Sequence, residues 1–172
     1  GQGFSQIKFK PARTYSVDSG QQISMSSLEH CENYSQKVGE AVGDNCNIII
    51  ETHGQLTPAS AIRVAKRLGQ FDPLWVEEPV PPGQSSAMID VAKKTRIPIT
   101  TEERLTTKYE FFDISTNNSA SIIQMNLGRV GGILEAKKIA SLAEFFYTQI
   151  APNSYTGSHF STSYPADALT WP

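Results

Sequence analysis

Short runs of β-branched and aromatic residues alternate along the chain with longer segments whose apolar residues recur at helical spacing. The short runs predict six strands, because each is apolar and bounded by turn residues. They cover residues 6–10, 47–51, 74–78, 97–101, 120–126 and 147–153. Six strands that alternate with helices predict a parallel sheet of the α/β class.

The helices between these strands are predicted by their apolar stripes. The first combines Leu28, Cys31, Tyr34, Val38 and Val42 and ends at Gly43-Asp44. In the second, Thr57 is the N-cap, Pro58 takes the first helical position, and the apolar residues are Ala61, Ile62, Ala65 and Leu68. A third helix is predicted after the turn at Pro81-Pro82-Gly83; Met88, Ile89, Val91 and Ala92 mark it, and it ends at Lys93-Lys94. Further helices are predicted over residues 104–112 and 128–146, with the aromatic residues 145–147 in the core.

Three of the predicted strands run into glutamate at their carboxyl ends. Glu51, Glu77 and Glu103 follow one another at equal intervals, from 51 to 77 and from 77 to 103. A strand, a turn and a returning helix take up about this length, so the three residues hold equivalent positions in successive βα units. Right-handed crossovers then place the three strand tips side by side. Pro79 is expected to keep the preceding Glu78 extended.

The three glutamates at neighbouring strand tips predict a metal site. Carboxylates held together without a cation repel one another, whereas their oxygens suit a hard divalent cation such as Mg²⁺. Any one of them, taken singly, is better interpreted as a solvated loop residue. Their common repeat distance favours the metal site.

The alternation alone is compatible with an open doubly wound sheet, whose ligand lies at one switch point. Acids that emerge from three successive strands favour a β/α barrel, which builds its site from several strand tips. A complete barrel has eight strands, and six are found here. Residues 1–172 are therefore interpreted as a single partial TIM-type barrel domain.

Composition narrows the possible partners. The formal net charge of −2 and the lack of a basic cluster argue against nucleic acid. Two cysteines, Cys31 and Cys46, form neither a disulfide framework nor a CxxC metal motif, which favours a cytoplasmic setting. No apolar run is long enough for a membrane helix, and no signal peptide is recognised. Because the sequence begins at Gly1, it is expected to be a piece of a longer protein or a natural truncation.

Several short motifs, taken in order, resemble the enolase superfamily. They are Lys8-Phe9-Lys10, Glu51-Thr52-His53-Gly54, Glu77-Glu78-Pro79, Glu103-Arg104, Gln124-Met125-Asn126, Gly131-Gly132 and Ala151-Pro152-Asn153. The branch they resemble is that of mandelate racemase and muconate-lactonizing enzymes, and within it the galactonate-type acid-sugar dehydratases. The likeness covers residues 4–157, and residues 158–172 form a divergent tail.

The resemblance implies a Mg²⁺-dependent lyase that acts on aldonic or aldaric acids through a metal-stabilised enediolate. Glu51, Glu77 and Glu103 would be the magnesium ligands. It also implies that the first and last barrel strands and a capping domain are absent from this chain. The expected partners are a sugar-acid substrate and either further copies of the chain or its missing part, with no nucleic acid or membrane.

The resemblance also implies roles for individual residues. His53 matches a general acid that protonates the departing hydroxyl, although a lone His in a turn is ordinarily a solvated residue. Lys10 matches a catalytic lysine of the racemases, and its alternative is a solvated edge lysine. Lys8, Arg104 and Asn126 are the candidates for binding substrate.

The chain departs from the dehydratase pattern at the base. The position of the expected catalytic histidine holds Asn153, and that of its acidic partner holds Asn126. An amide cannot take a proton near neutral pH, so activity is expected to be impaired. Glu102 replaces a residue that is usually Gly. His159 in the tail is either a displaced base or, as the better interpretation, an ordinary tail residue.

Two alternatives therefore stay open. A racemase, an epimerase or a sugar-lactone cycloisomerase of the same superfamily would share the proton abstraction. A non-catalytic, degenerate barrel fragment would share only the fold.

Overall fold

A computed structural model of the chain describes residues 5–12, 22–83, 85–101 and 104–153. Six strands and five helices alternate in this part of the chain, as the apolar pattern predicts. In chain order they are β1 (Gln6–Phe9), α1 (Met25–Val42), β2 (Asn47–Glu51), α2 (Pro58–Leu68), β3 (Trp75–Glu77), α3 (Ser85–Lys94), β4 (Ile99–Thr100), α4 (Lys108–Thr116), β5 (Ile122–Ile123), α5 (Ile133–Phe145) and β6 (Gln149–Ile150). Glu102, Glu103 and His159 lie outside the described residues.

The six strands form one open sheet in the order β1-β2-β3-β4-β5-β6. The described pairings are parallel, so the carboxyl ends of neighbouring strands emerge at the same edge. This confirms the predicted α/β class and is consistent with part of a β/α barrel. In the register between β2 and β3, Glu51 lies opposite Glu77.

Local sequence sets the helix boundaries. Thr57 caps α2 by accepting the backbone N–H of Ser60, and Pro58 is the first residue of the helix, as predicted. Helix α4 begins at Lys108 rather than at residue 104, because the capping box of Thr107 and Glu110 fixes its start. Helix α5 begins at Ile133, after a run of turns, rather than at Gly128.

The chain divides into two compact units, one ending at Ile99 and the other starting at Thr100. Each has its own core. In the first unit, apolar residues of β2 and β3 such as Ile50 and Val76 belong to the same core cluster as Leu68 of α2. The second core includes Phe111 of α4 and Ile139 of α5. The interpretation of residues 1–172 as a single domain stays a prediction.

Some predicted core positions are exposed. In α1, Ser35 is buried, whereas Tyr34 faces solvent. In the aromatic segment predicted as core, Phe145 is 76% exposed and Tyr147 is 99% exposed. Tyr147 lies before β6, at φ 55°, because the chain reverses after α5 and turns this side chain outward. None of the helices in the described part of the chain combines the length and the apolarity needed to cross a membrane.

Candidate active site

Two carboxylates and one ammonium group meet at the carboxyl end of the first strands. Glu51 and Glu77 end β2 and β3, and both side chains are buried. Because they are register partners on parallel strands, they lie on the same face of the sheet. Lys8 of β1 reaches both, with its Nζ 2.8 Å from Glu77 Oε1 and 3.4 Å from Glu51 Oε2.

The burial and the charges of this cluster shift its ionisation. Burial raises the pKa of Glu77, and the neighbouring charge of Glu51 raises it further, while Lys8 opposes both effects. Burial alone would lower the pKa of Lys8, but its hydrogen bond to Glu77 and the charges of both carboxylates hold that pKa above the ordinary value. The two carboxylates therefore share one strongly held cation.

His53 lies in the turn after β2 with φ 53°. Its backbone N–H donates to Glu51 Oε1 at 2.7 Å, and its Nδ1 lies 2.9 Å from the same oxygen. If Nδ1 carries the proton, it donates to Glu51, and Nε2 is then the nitrogen that exchanges protons with a substrate. The imidazole is largely exposed, so this nitrogen can reach a ligand. Its catalytic role stays a prediction.

The turn after β3 is fixed by hydrogen bonds from the turn after β2. Thr52 Oγ1 lies 2.8 Å from the carbonyl oxygen of Glu77 and 2.7 Å from that of Glu78, and Gly54 N–H donates to Glu78. Glu78 adopts φ 42°, so the expectation that Pro79 keeps it extended is wrong. These tertiary hydrogen bonds outweigh the local preference at a residue that precedes proline.

The donor chemistry of this pair fits a hard divalent cation. Two carboxylates on adjacent strands already bind a cationic group, and carboxylate oxygens are the ligands that Mg²⁺ prefers. Among the residues that the structure describes, no group of three His, Cys, Asp or Glu side chains is placed to hold a metal ion. Glu103, the third predicted ligand, lies outside those residues, so the complete triad stays a prediction.

The other lysine and the arginine predicted for the site lie next to strand ends. Lys10 directly follows β1 and is half-buried. Arg104 is exposed and lies in a turn between β4 and α4. Lys8, the predicted partner of a substrate carboxylate, instead binds the two carboxylates of the protein itself. The catalytic role of Lys10 and the substrate contacts of Lys8 and Arg104 stay predictions.

In the second unit, the carboxyl ends of β5 and β6 carry amides. Asn126 and Asn153 form a parallel bridge, so the two positions that matched the base and its partner are neighbours. Asn126 Oδ1 accepts the backbone N–H groups of Gly128 and Arg129 at 3.0 and 3.2 Å. Asn153 Nδ2 donates to Gln124 Oε1 at 3.4 Å. These side chains provide hydrogen bonds, but near neutral pH an amide does not act as a base.

Two residues that contact the site were not predicted from the sequence. Thr52 connects the turns after β2 and β3, and Trp75 Nε1 donates to Glu77 Oε2 at 3.3 Å. The position of Trp75 two residues before Glu77 on a strand was a usable signal, since alternate residues share a face. The contacts of Thr52 depend on the path of a turn, which periodicity does not reveal.

Comparison with known proteins supports the resemblance. Residues 1–169 match the family model described as enolase C-terminal domain-like. D-gluconate/D-galactonate dehydratase of Picrophilus torridus is 30% identical over 144 residues, which are 84% of this chain and 36% of that protein. A solved structure from Burkholderia SAR-1, described as a mandelate racemase/muconate lactonizing enzyme, is 57% identical with a TM-score of 0.84. It matches 88% of this chain and 38% of its own.

An enolase from Agrobacterium radiobacter, solved with sodium and L-malate bound, has a TM-score of 0.82 and 28% identity. The match covers 93% of this chain and 40% of that enzyme. The chain thus spans less than half the length of the relatives that it matches. By its match to the family model and the parallel α/β fold that it shares with these relatives, the chain belongs to the enolase C-terminal domain-like family.

Proposed function

We propose that this chain is part of the barrel domain of a Mg²⁺-dependent dehydratase that removes water from aldonic or aldaric acids. The observation that carries the proposal is the pair of buried carboxylates, Glu51 and Glu77, bound to one ammonium group at the tips of adjacent parallel strands. The relative from Picrophilus torridus is named for gluconate and galactonate, and the Agrobacterium enolase binds a cation and a hydroxy acid.

Glu51, Glu77 and Glu103 would hold the Mg²⁺. When bound, the ion supplies positive charge that makes the proton next to a substrate carboxylate more acidic. Lys8 would contact a substrate carboxylate that arrives at the metal, and its distance to both described ligands supports this role. The chain itself thus binds and orients the acid end of the substrate.

His53 would serve the leaving group. In a dehydration, the bond between the β-carbon and its hydroxyl breaks, and the departing oxygen takes a proton to leave as water. The Nδ1 contact with Glu51 orients the imidazole, so that Nε2 faces away from the carboxylate. His53 can therefore hold a proton and deliver it from Nε2.

The proposed site lacks the usual histidine base for the α-proton. Asn153 and Asn126 hold the positions that the family resemblance assigns to a base and its partner, and both are amides. Lys10 is the remaining candidate among the matched positions. A general base contributes about 10²–10⁴-fold to a rate, so the proposed enzyme is slow.

The second candidate is a non-catalytic module that binds sugar acids. The hydrogen bonds of Asn126 and Asn153 favour it, because these side chains contact the backbone and Gln124. Epimerisation and cycloisomerisation would begin with the same loss of the α-proton, so that step separates all catalytic functions from the non-catalytic one.

Exchange of the α-proton in deuterated water tests the proposal. With D-gluconate or D-galactonate and Mg²⁺, the wild-type chain is expected to exchange slowly by NMR. Lys10→Ala should abolish exchange, whereas Lys37→Ala, at an exposed helical position, serves as the matched control. His53→Asn should retain exchange and lose dehydration.

Absence of exchange by the folded wild-type chain would favour the non-catalytic module. Brisk turnover that survives Lys10→Ala would show that Lys10 is not the base, and His159 would then be the next residue to test. Replacing the amides, with Asn153→His and Asn126→Asp together, should accelerate the reaction if the two strand tips hold the pair in place.

A further inference from the structure

Trp75 shares a face of the sheet with the carboxylates. It lies two residues before Glu77 on β3, so strand alternation points both side chains the same way. Trp75 and Lys8 are both register partners of Ile49, one on each side of β2. The indole and the ammonium group therefore approach Glu77 from different strands.

The two oxygens of Glu77 bind chemically different donors. Oε1 accepts from Lys8 at 2.8 Å, and Oε2 accepts from the indole Nε1 of Trp75 at 3.3 Å. Lysine carries its charge on a flexible stem, whereas the indole N–H is a neutral donor on a rigid ring that accepts no hydrogen bond in return. Because its ring is rigid and lies on the same strand, the indole restrains the second oxygen of Glu77 in a fixed direction, in addition to the bond from Lys8.

Burial strengthens the hydrogen bond between Trp75 and Glu77. Glu77 is completely buried and Trp75 is half-buried, so little water competes for the hydrogen bond. A buried carboxylate oxygen that loses a hydrogen-bond donor costs free energy, and the carboxylate is then less restrained in its orientation. Outer residues that orient a metal ligand commonly affect metal affinity 10- to 100-fold.

We propose that Trp75 is a positioning residue: its indole N–H holds Glu77 so that Oε1 faces Lys8. This proposal rests on the proposed magnesium site for its consequence, but the hydrogen bond itself exists independently of any metal. The competing interpretation is that the indole merely packs on the sheet and its N–H takes the nearest acceptor. In that case, removal of the N–H would leave cation binding unchanged.

The first experiment tests the hydrogen bond without metal. The chain has two tryptophans, and Trp171 lies outside the described residues, so Trp171→Phe leaves one indole N–H resonance to follow by NMR. In that background, Glu77→Gln should move the Trp75 resonance, and the matched change Glu32→Gln should not. The wild-type Trp75 indole should also exchange its hydrogen slowly with deuterated water, a readout that needs no variant at Glu77. The proposal would be overturned if the Trp75 N–H exchanged rapidly. It would also be overturned if Glu77→Gln folded and left the Trp75 resonance unchanged.

The second experiment tests the positioning. Calorimetric titration with Mg²⁺ should show about 10–100-fold weaker binding for Trp75→Phe, and unchanged binding for Trp171→Phe. Trp75→His, which retains a ring N–H, should recover part of the loss. If Trp75→Phe folds and binds Mg²⁺ like the wild-type chain, Trp75 does not position Glu77. If the wild-type chain itself binds no Mg²⁺, the proposed metal site fails, and the indole resonance alone decides whether Trp75 holds Glu77.

Discussion

Lys8 balances the charge of two buried carboxylates. Lys8→Met keeps a side chain of similar length but removes the ammonium group that contacts Glu51 and Glu77. Because the lysine side chain is 41% exposed and water screens the pair, the expected loss is about 1–2 kcal/mol in the free energy of unfolding. Urea unfolding measures it, with Lys37→Met as the control at an exposed position.

Added Mg²⁺ should stabilise the Lys8→Met chain, because a bound cation replaces the missing positive charge. A loss no greater than that of Lys37→Met would show that Lys8 contributes nothing to the balance of charge.

Among single residues, the sequence was most informative where the same residue type recurred at a regular interval. The interval from Glu51 to Glu77, repeated from Glu77 to Glu103, predicts equivalent strand tips, and the register places the first two opposite each other. The backbone of Glu78 was not predictable in the same way. Its positive φ depends on hydrogen bonds from a turn that lies about 25 residues earlier in the chain, at Thr52 and Gly54.

The start of helix α4 depends on the hydroxyl group of Thr107, which caps the helix. Thr107 accepts the backbone N–H of Glu110, and the Glu110 carboxylate accepts the N–H of Thr107 in return. Thr107→Ala should lower the stability by about 1 kcal/mol, measured by thermal or urea unfolding. Thr106→Ala, one residue earlier, leaves this cap in place and should cost less. Equal effects of the two changes would contradict the cap.

The same cap predicts a dependence on pH. Partial burial works against the charged form of Glu110, but hydrogen bonds from Thr107 and Thr106 hold its pKa below the ordinary value. A carboxyl whose pKa is lowered by folding stabilises the folded chain above its unfolded pKa, and this stabilisation is lost as the pH falls through the folded pKa. The stability difference between wild type and Glu110→Gln should therefore be present at neutral pH and shrink on acidification. A difference that is constant across this range would contradict it.

The end of α5 stores strain in an exposed residue. Tyr147 has φ 55°, and its N–H and that of Thr148 bond back to Glu144 and Ala143, the arrangement that glycine usually completes. Tyr147→Gly should therefore raise the stability by about 0.5–1 kcal/mol, whereas Tyr147→Ala retains the strain. Unfolding curves of the two variants measure this. A destabilised Tyr147→Gly chain would show that the aromatic ring contributes more than the strain costs.

Within the described residues, the sequence predicted each strand and α-helix, but it misplaced several helix boundaries, among them the starts of α4 and α5. The Thr-x-x-Glu pattern of a capping box is present at Thr107 and Glu110 and would have placed the start of α4. The start of α5 carries no such sequence signal, because its N-cap residue, Gly132, has no side chain that could accept a hydrogen bond. The exposure of Phe145 and Tyr147 was missed because apolar composition alone says nothing about which way a turn faces.

For the molecule as a whole, short strand-like runs alternate with segments of helical spacing. This alternation was enough to predict a parallel α/β sheet, because strands joined through helices pair in parallel. Among the strands of the described residues, β1 and β6 have one neighbouring strand each. Strands at the end of a sheet present backbone groups that can pair with another chain. We expect the chain to self-associate, and static light scattering over a concentration series would detect it.

A charged residue on β1 should weaken that association. Ile7 is partly exposed on this strand, and Ile7→Lys places a charge where a neighbouring strand would pair. A wild-type chain that stays monomeric at high concentration would contradict the expectation.

Calorimetric titration of the folded chain with Mg²⁺ tests whether the strand-tip glutamates form one magnesium site. The wild-type chain should bind one ion, and Glu51→Gln, Glu77→Gln and Glu103→Gln should each weaken the binding while circular dichroism shows that the fold is retained. Glu32→Gln, which removes an acid that pairs with Arg67 on the helical side, is the control and should bind like wild type. No heat of binding from the folded wild-type chain, or equal affinity in all four variants, would contradict the account.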